Sequence, residues 1–297
     1  MIAALAKCID WSALQLMTRR MPPVNPNARL EEGVEFLNGP EFSSAESRAA
    51  RVDFEDSLHF RFPLIARRYN RVGINVATLE TPYHFRRRPR DPDAVRLDYL
   101  RLAERTAQAI AEIRALVGWL LEQGCPAVAL WGSSYGGWLA GLTACHEARL
   151  AAVVMAVPSV RGNRAHAKRV IWRQSREALQ KQVEAFDTLD KTSLNLTVSR
   201  PIIAKENILL VEAIHDLFAM REPIEELWQL WGKPDIWRVP HGHFSFGLIG
   251  APCLMMNRVL CWLKPPRISE TPRFAIWAPS EAASLTRIRR PIIRLRS

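Results

Sequence analysis

The stretch Val128-Ala129-Leu130-Trp131-Gly132-Ser133-Ser134-Tyr135-Gly136-Gly137 constrains this chain more than any other. It reads as a short buried strand that breaks at a Gly-x-Ser-x-Gly turn and continues into a helix opening on small residues. Such a turn lifts a serine hydroxyl above the edge of a sheet, and its spacing is set by sterics. Two residues before and two after the raised serine, a side chain would collide with the neighbouring strand and helix, so Gly132 and Gly136 permit the turn. The serine takes a strained backbone conformation, and the following helix aims its first N–H groups at the oxygen that reacts there. The register is internal to the motif. Were Ser133 the raised residue, the bulky Trp131 and Tyr135 would fill the two flanking positions. Ser134 is therefore the candidate nucleophile.

The 297 residues suffice for one α/β domain with a large core, plus appendages. No apolar run approaches the ~20 residues that span a bilayer. Met1 to Met17 is mildly apolar, but Lys7 and Asp10 interrupt it and no basic stretch precedes an apolar core. That pattern argues against a signal peptide and for an amphipathic surface helix using Ile2, Leu5, Ile9 and Leu16. Five cysteines (Cys8, Cys125, Cys145, Cys253 and Cys261) form no Cys-x-x-Cys pair, so reduced thiols in a cytoplasmic protein are expected. No metal-ligand spacing occurs; neither a metal nor a cofactor is expected. The net charge of +11 is clustered at Arg86–Arg90, Arg161–Arg176 and Arg287–Arg296. No nucleic-acid motif accompanies it, so nucleic acid is not an expected partner. The basic segments read as solvated surface, with weak contact to a membrane surface as the alternative. Oligomeric state is left open.

Residues 1–50 show weak periodicity broken by Pro22, Pro23, Pro26 and Pro40, and as a whole read as an irregular N-terminal segment. Residues 51–265 carry the domain. Leu58 to Tyr69 is helix-like and Val72 to Leu79 a strand, followed by Glu80-Thr81-Pro82-Tyr83-His84. Ala94 to Glu122 has apolar residues at the spacing of a long amphipathic helix, stopped by Gly124 and Pro126. Leu150 to Val157 is a continuous apolar run, the signature of a strand buried on both faces. Residues 158–205 read as a helical insertion or lid. Ile208–Ile214, Pro223–Trp231, Ile236–Val239 and Leu248–Leu263 then read as strand, helix, strand and helix. Residues 266–297 are expected to be a basic, disordered tail. Alternating strands and helices imply an α/β fold, a mostly parallel sheet covered by helices on both faces, with active groups at the carboxyl ends of its strands.

A serine hydroxyl needs a base within hydrogen-bond reach, and the base needs a carboxylate to orient it. Asp216 directly follows the strand Ile208–Ile214, and His243 lies past the last strand in His241-Gly242-His243-Phe244. Each has a rival. Asp216 could simply cap the following helix, and Glu212 sits inside the strand pattern. His241 competes with His243, which is favoured because the Gly-His-Phe arrangement places it in the loop. His59 and His84 read as structural or substrate-lining. For an oxyanion, one donor is the backbone N–H of Tyr135. A second should come from a loop after an earlier strand, yet Arg51 to Ser57 offers no Gly.

From about Ser57 to Leu263 the chain resembles the α/β-hydrolase superfamily. The resemblance rests on Gly132-Ser133-Ser134-Tyr135-Gly136-Gly137, Asp216 and Gly242-His243-Phe244, in the chain order Ser, Asp, His. Leu79 to His84 with Arg86, Arg88 and Pro89 looks like a poorly characterised branch with a Glu-Asn-Pro-Tyr-Tyr loop, from which Thr81 departs. The resemblance implies a serine hydrolase of esterase or lipase type, cleaving an ester or thioester through an acyl-enzyme on Ser134. His243 would be the base and Asp216 the orienting acid. Trp172, Leu179, Val183 and Phe186 would cover a small-molecule or lipid acyl chain. The alternative is a catalytically impaired protein of the same fold that binds a ligand or partner.

Overall fold

The computed structural model describes residues 2–20, 69, 74–79, 81–82, 99–122, 124–161, 194–246 and 273–278. Along the chain these form helix α1 (Ile2–Arg20), strand β1 (Ile74–Thr78), helix α2 (Tyr99–Glu122) and strand β2 (Val128–Ser133). Helix α3 (Tyr135–Ala144), strands β3 (Leu150–Ala156) and β4 (Ile208–Ala213), and helix α4 (Arg221–Leu230) follow. Strand β5 (Asp235–Val239), the single turn α5 (His243–Ser245) and strand β6 (Arg273–Ala278) complete them. The strands build one parallel sheet in the order β1-β6-β2-β3-β4-β5.

Alternation along the central strands makes this sheet two-faced. Val128 and Leu130, Val153 and Met155, and Ile208 and Leu210 turn to one side. There they pack with Ile110, Ile113, Val117 and Leu120 of α2, Trp138 and Leu142 of α3, and Ile224 and Leu227 of α4. Ala129, Ala152, Val154, Leu209 and Val211 turn to the other side, where Tyr69 and Phe246 join them. Burial on both faces is what a strand with no polar alternation requires, and a parallel sheet supplies it. The helix expected over Ala94–Glu122 is present over the described residues Tyr99–Glu122, with its apolar stripe against the sheet.

Polar anchors fix the chain around this core. The Trp138 indole N–H donates to the Leu194 carbonyl at 2.7 Å, and that of Trp231 to the Leu196 and Ser199 carbonyls at 3.2 and 3.1 Å. Residues 194–204, within the expected helical insertion, therefore run as turns pinned to the core. Glu212, buried inside β4, pairs with Arg221 and Arg238, both at 2.9 Å.

At the N-terminus the helix expected within Met1–Met17 forms as the 19-residue α1, so the segment read as irregular overall opens on a regular element. Its burial differs in part from the expected face: Ile9 packs half-buried against Phe218 and Phe244, but Ile2 and Leu5 are more than half exposed, whereas Ala6 and Asp10 are buried. In the tail expected to be disordered, residues 273–278 form β6, which lies between β1 and β2 with parallel partners on both sides. Gly132, the first glycine of the turn motif, pairs with Ala278. The expected helices at 58–69 and 248–263, the apolar residues of the insertion, and His59 and His84 lie outside the described residues, Tyr69 apart.

Candidate active site

The turn after β2 follows from its glycines. A Cβ on Gly132 would lie 2.0 Å from the Gly136 carbonyl oxygen and 2.3 Å from its carbon. Only a residue without a side chain lets α3 start so close to the end of the strand. Ser134 absorbs the reversal with φ 56° and ψ −118°, a conformation that costs a non-glycine residue on the order of 1–3 kcal/mol. The strain is held from both sides. The Ser134 N–H donates to the Ala156 carbonyl at 2.9 Å, and its own carbonyl accepts the Trp138 N–H at 3.0 Å. Tyr135 is then the first residue of α3.

The structure brings Ser134, His243 and Asp216 together. His243 Nε2 lies 2.8 Å from Ser134 Oγ, and His243 Nδ1 lies 2.7 Å from Asp216 Oδ2. With the proton assigned to Nδ1, that nitrogen donates to the carboxylate, and Nε2 is left to accept the serine hydroxyl. Asp216 does cap the following turn, as its rival reading expected: Oδ1 accepts the N–H groups of Phe218 and Ala219 at 2.6 and 2.8 Å. The two uses are compatible because they engage different oxygens. Capping by Oδ1 fixes the direction in which Oδ2 points.

Aromatic rings hold the imidazole. Phe218 stacks on His243 with centroids 5.2 Å apart and planes at 25°, and Phe244 meets it edge-on at 5.4 Å. Its ring keeps only 10% side-chain exposure. His241 lies elsewhere: its backbone bridges Val239 and His215, and burial followed by the neighbouring His215 lowers its pKa. Glu212 is engaged with its two arginines.

The sequence reading missed Asp10. Fully buried on α1, it accepts N–H donors from both loops of the site: Leu217 at 3.1 Å and His243 at 2.7 Å on Oδ2, and Phe244 at 2.9 Å on Oδ1. Gly242 makes room for it, since a Cβ there would lie 2.6 Å from Asp10 Oδ2. Burial raises the pKa of Asp10, as does the charge of Asp216, against the lowering effect of its three N–H donors. The available sequence signal was one acid interrupting an apolar helix.

Among the described residues, no group of histidine, cysteine and acidic side chains is arranged to hold a metal ion, and no helix is long and apolar enough to cross a membrane.

Residues 55–193 match the family model described as "Alpha/beta hydrolase domain containing 18". Two curated relatives, uncharacterized proteins MT2702 and Rv2627c of Mycobacterium tuberculosis strains CDC 1551 and H37Rv, are each 29% identical over 188 residues. The match covers 60% of this chain, which spans 44% of the length of those relatives. Among solved structures, the chain is similar to the Pyrococcus furiosus esterase Pf2001, at TM-score 0.41 and 16% identity, over 52% of this chain and 61% of that one. It is also similar to an acetyl xylan esterase from Paenibacillus sp. R4, at TM-score 0.37 and 14% identity, over 53% of each chain.

Proposed function

We propose that this chain is a serine hydrolase of the α/β-hydrolase superfamily that cleaves carboxylic esters or thioesters, a reading supported by the match of residues 55–193 to an α/β-hydrolase family model. The observation that carries this reading is the continuous contact from Asp216 Oδ2 through the His243 imidazole to Ser134 Oγ, at 2.7 and 2.8 Å.

In the proposed reaction Ser134 Oγ attacks the acyl carbonyl carbon while its proton passes to His243 Nε2. The imidazolium is stabilised by Asp216, which stays ionised. The carbonyl oxygen becomes an oxyanion beside the N-terminus of α3, where the Tyr135 N–H is the proposed donor. Collapse of this intermediate breaks the bond to the alcohol or thiol, which leaves with the proton held by His243. Water then enters, gives its proton to the same nitrogen and releases the acid, restoring the serine hydroxyl. The strain at Ser134 fits this use, since it keeps the hydroxyl raised without further reorganisation.

A fluorophosphonate probe tests the assignment. It is expected to label the protein at Ser134, and Ser134→Ala is expected to abolish labelling and the hydrolysis of p-nitrophenyl esters. A folded wild-type protein that is neither labelled nor active on such esters would leave a binding function for this site.

A further inference from the structure

We propose that Asp10 is a positioning residue for the Ser134 site: its carboxylate clamps the loop that carries Asp216 to the turn that carries His243. The inference rests on the serine hydrolase reading. The two catalytic partners of the serine come from segments after different strands, and their 2.7 Å contact depends on how those segments sit against each other. Asp10 Oδ2 accepts from both, Leu217 on one side and His243 on the other. Oδ1 takes the Phe244 N–H as a third restraint. All three donors are immediate neighbours of, or belong to, the residues whose side chains meet.

The chemistry favours a carboxylate here. Three N–H groups converge on two oxygens, and only an ionised carboxylate offers acceptors in every direction without a donor of its own. Hydrogen bonds to a charged acceptor are about twice as strong as neutral ones, which recovers part of the cost of burying the charge. An amide would keep one oxygen and turn an N–H₂ towards a backbone N–H, so at least one donor would be orphaned. The glycine at 242 belongs to the same arrangement, because any side chain there would displace the carboxylate. Helix α1 is thereby part of the site although it contributes nothing to the sheet, and it packs directly against α5.

Asp10→Asn tests the clamp with two readouts. Amide hydrogen exchange at Leu217, His243 and Phe244 should quicken by about tenfold or more, as expected for loss of charge-assisted bonds. With p-nitrophenyl acetate, kcat should fall by roughly 10²-fold at unchanged KM, the signature of misplaced catalytic groups. Lys7→Ala, on the exposed side of the same helix, should change neither. Should Asp10→Asn fail to fold, Gly242→Ala decides: it keeps the carboxylate but pushes it off its donors, and the same two changes are expected. Unaltered exchange at the three amides, or wild-type kcat in the folded variant, would overturn the clamp. A wild-type protein inert to substrate and probe would overturn the hydrolase reading alone, because the exchange measurement still judges the clamp.

Discussion

Gly132 and Gly136 approach so closely that a Cβ on the first would stand 2.0 Å from the carbonyl oxygen of the second. The partner is backbone, so it cannot swing aside as a side chain would. Gly132→Ala must therefore move the start of α3 away from β2. Overpacking of this kind costs roughly 1–3 kcal/mol, and here the displacement falls on Ser134. The variant is expected to unfold at lower urea and to react with a fluorophosphonate at least about tenfold more slowly. Wild-type reactivity at Ser134 would contradict the steric account of the turn.

Asp216 separates orientation from folding. Asp216→Asn can still cap the Phe218 and Ala219 N–H groups through its amide oxygen, so stability should change little. Its nitrogen then faces His243 Nδ1 and favours the tautomer with the proton on Nε2, which can no longer accept from Ser134. A loss of about 10⁴-fold in kcat is expected, with KM unchanged. Steady-state kinetics on a p-nitrophenyl ester, beside a urea melt, checks both halves.

What the sequence disclosed follows from the range of the interactions. The turn at Gly132–Gly136 is a steric problem confined to five residues, so its solution is written locally. Asp216 and His243 lie just past apolar runs that announce β4 and β5, and strand ends are where a parallel sheet collects its chemistry. Asp10 has no such local signature. Its partners are more than 200 residues away, and a lone acid on a mildly apolar helix looks like an interruption until the docked loops supply three donors. Amphipathic reasoning placed Ile2, Leu5, Ile9 and Leu16 on the apolar face of α1; Ile9 packs against Phe218 and Phe244, but Ile2 and Leu5 are exposed and the helix buries Ala6 and Asp10. Strand β6 escaped for a related reason. Phe274 to Ala278 is a short apolar run between Pro272 and Pro279, and surrounding arginines masked its strand character. Its place in the sheet is set by pairing with β1 and β2, both distant in sequence.

Glu147 gives the stability a pH dependence of predictable sign. Its buried carboxylate accepts from the Arg149 backbone N–H at 3.0 Å and from that guanidinium at 2.7 and 2.6 Å, with Arg114 at 3.7 Å. Burial pushes its pKa up, but the hydrogen bonds and charge of Arg149, with the charge of Arg114, outweigh this and hold it below the ordinary 4.5. A depressed carboxylate stabilises the fold above its unfolded pKa, and the contribution disappears as pH falls through the folded value. Glu147→Gln should therefore cost about 1–3 kcal/mol at pH 7, and progressively less as pH falls below about 4. Urea unfolding of both proteins across that range measures the difference; a gap independent of pH would rule out the ionic origin.

Strand β6 makes the C-terminal segment structural. It pairs along its length with Ile74–Thr78 on one side and with Val128–Gly132 on the other. Truncation after residue 265 would open two rows of backbone donors and acceptors in mid-sheet, next to the strand that ends at Ser134. Unpaired edges of this sort promote association with other chains. The truncated protein is expected to be aggregated or to lack a cooperative melt, and with it any reactivity at Ser134. Ile276→Pro is the finer test, since proline removes a donor from an interior strand and is tolerated only at edges. It should reproduce the defect in the full-length chain, whereas Ser297→Pro, beyond the strand, should not. A truncated protein that melts cooperatively and still reacts at Ser134 would show that β1 and β2 do not need the strand between them.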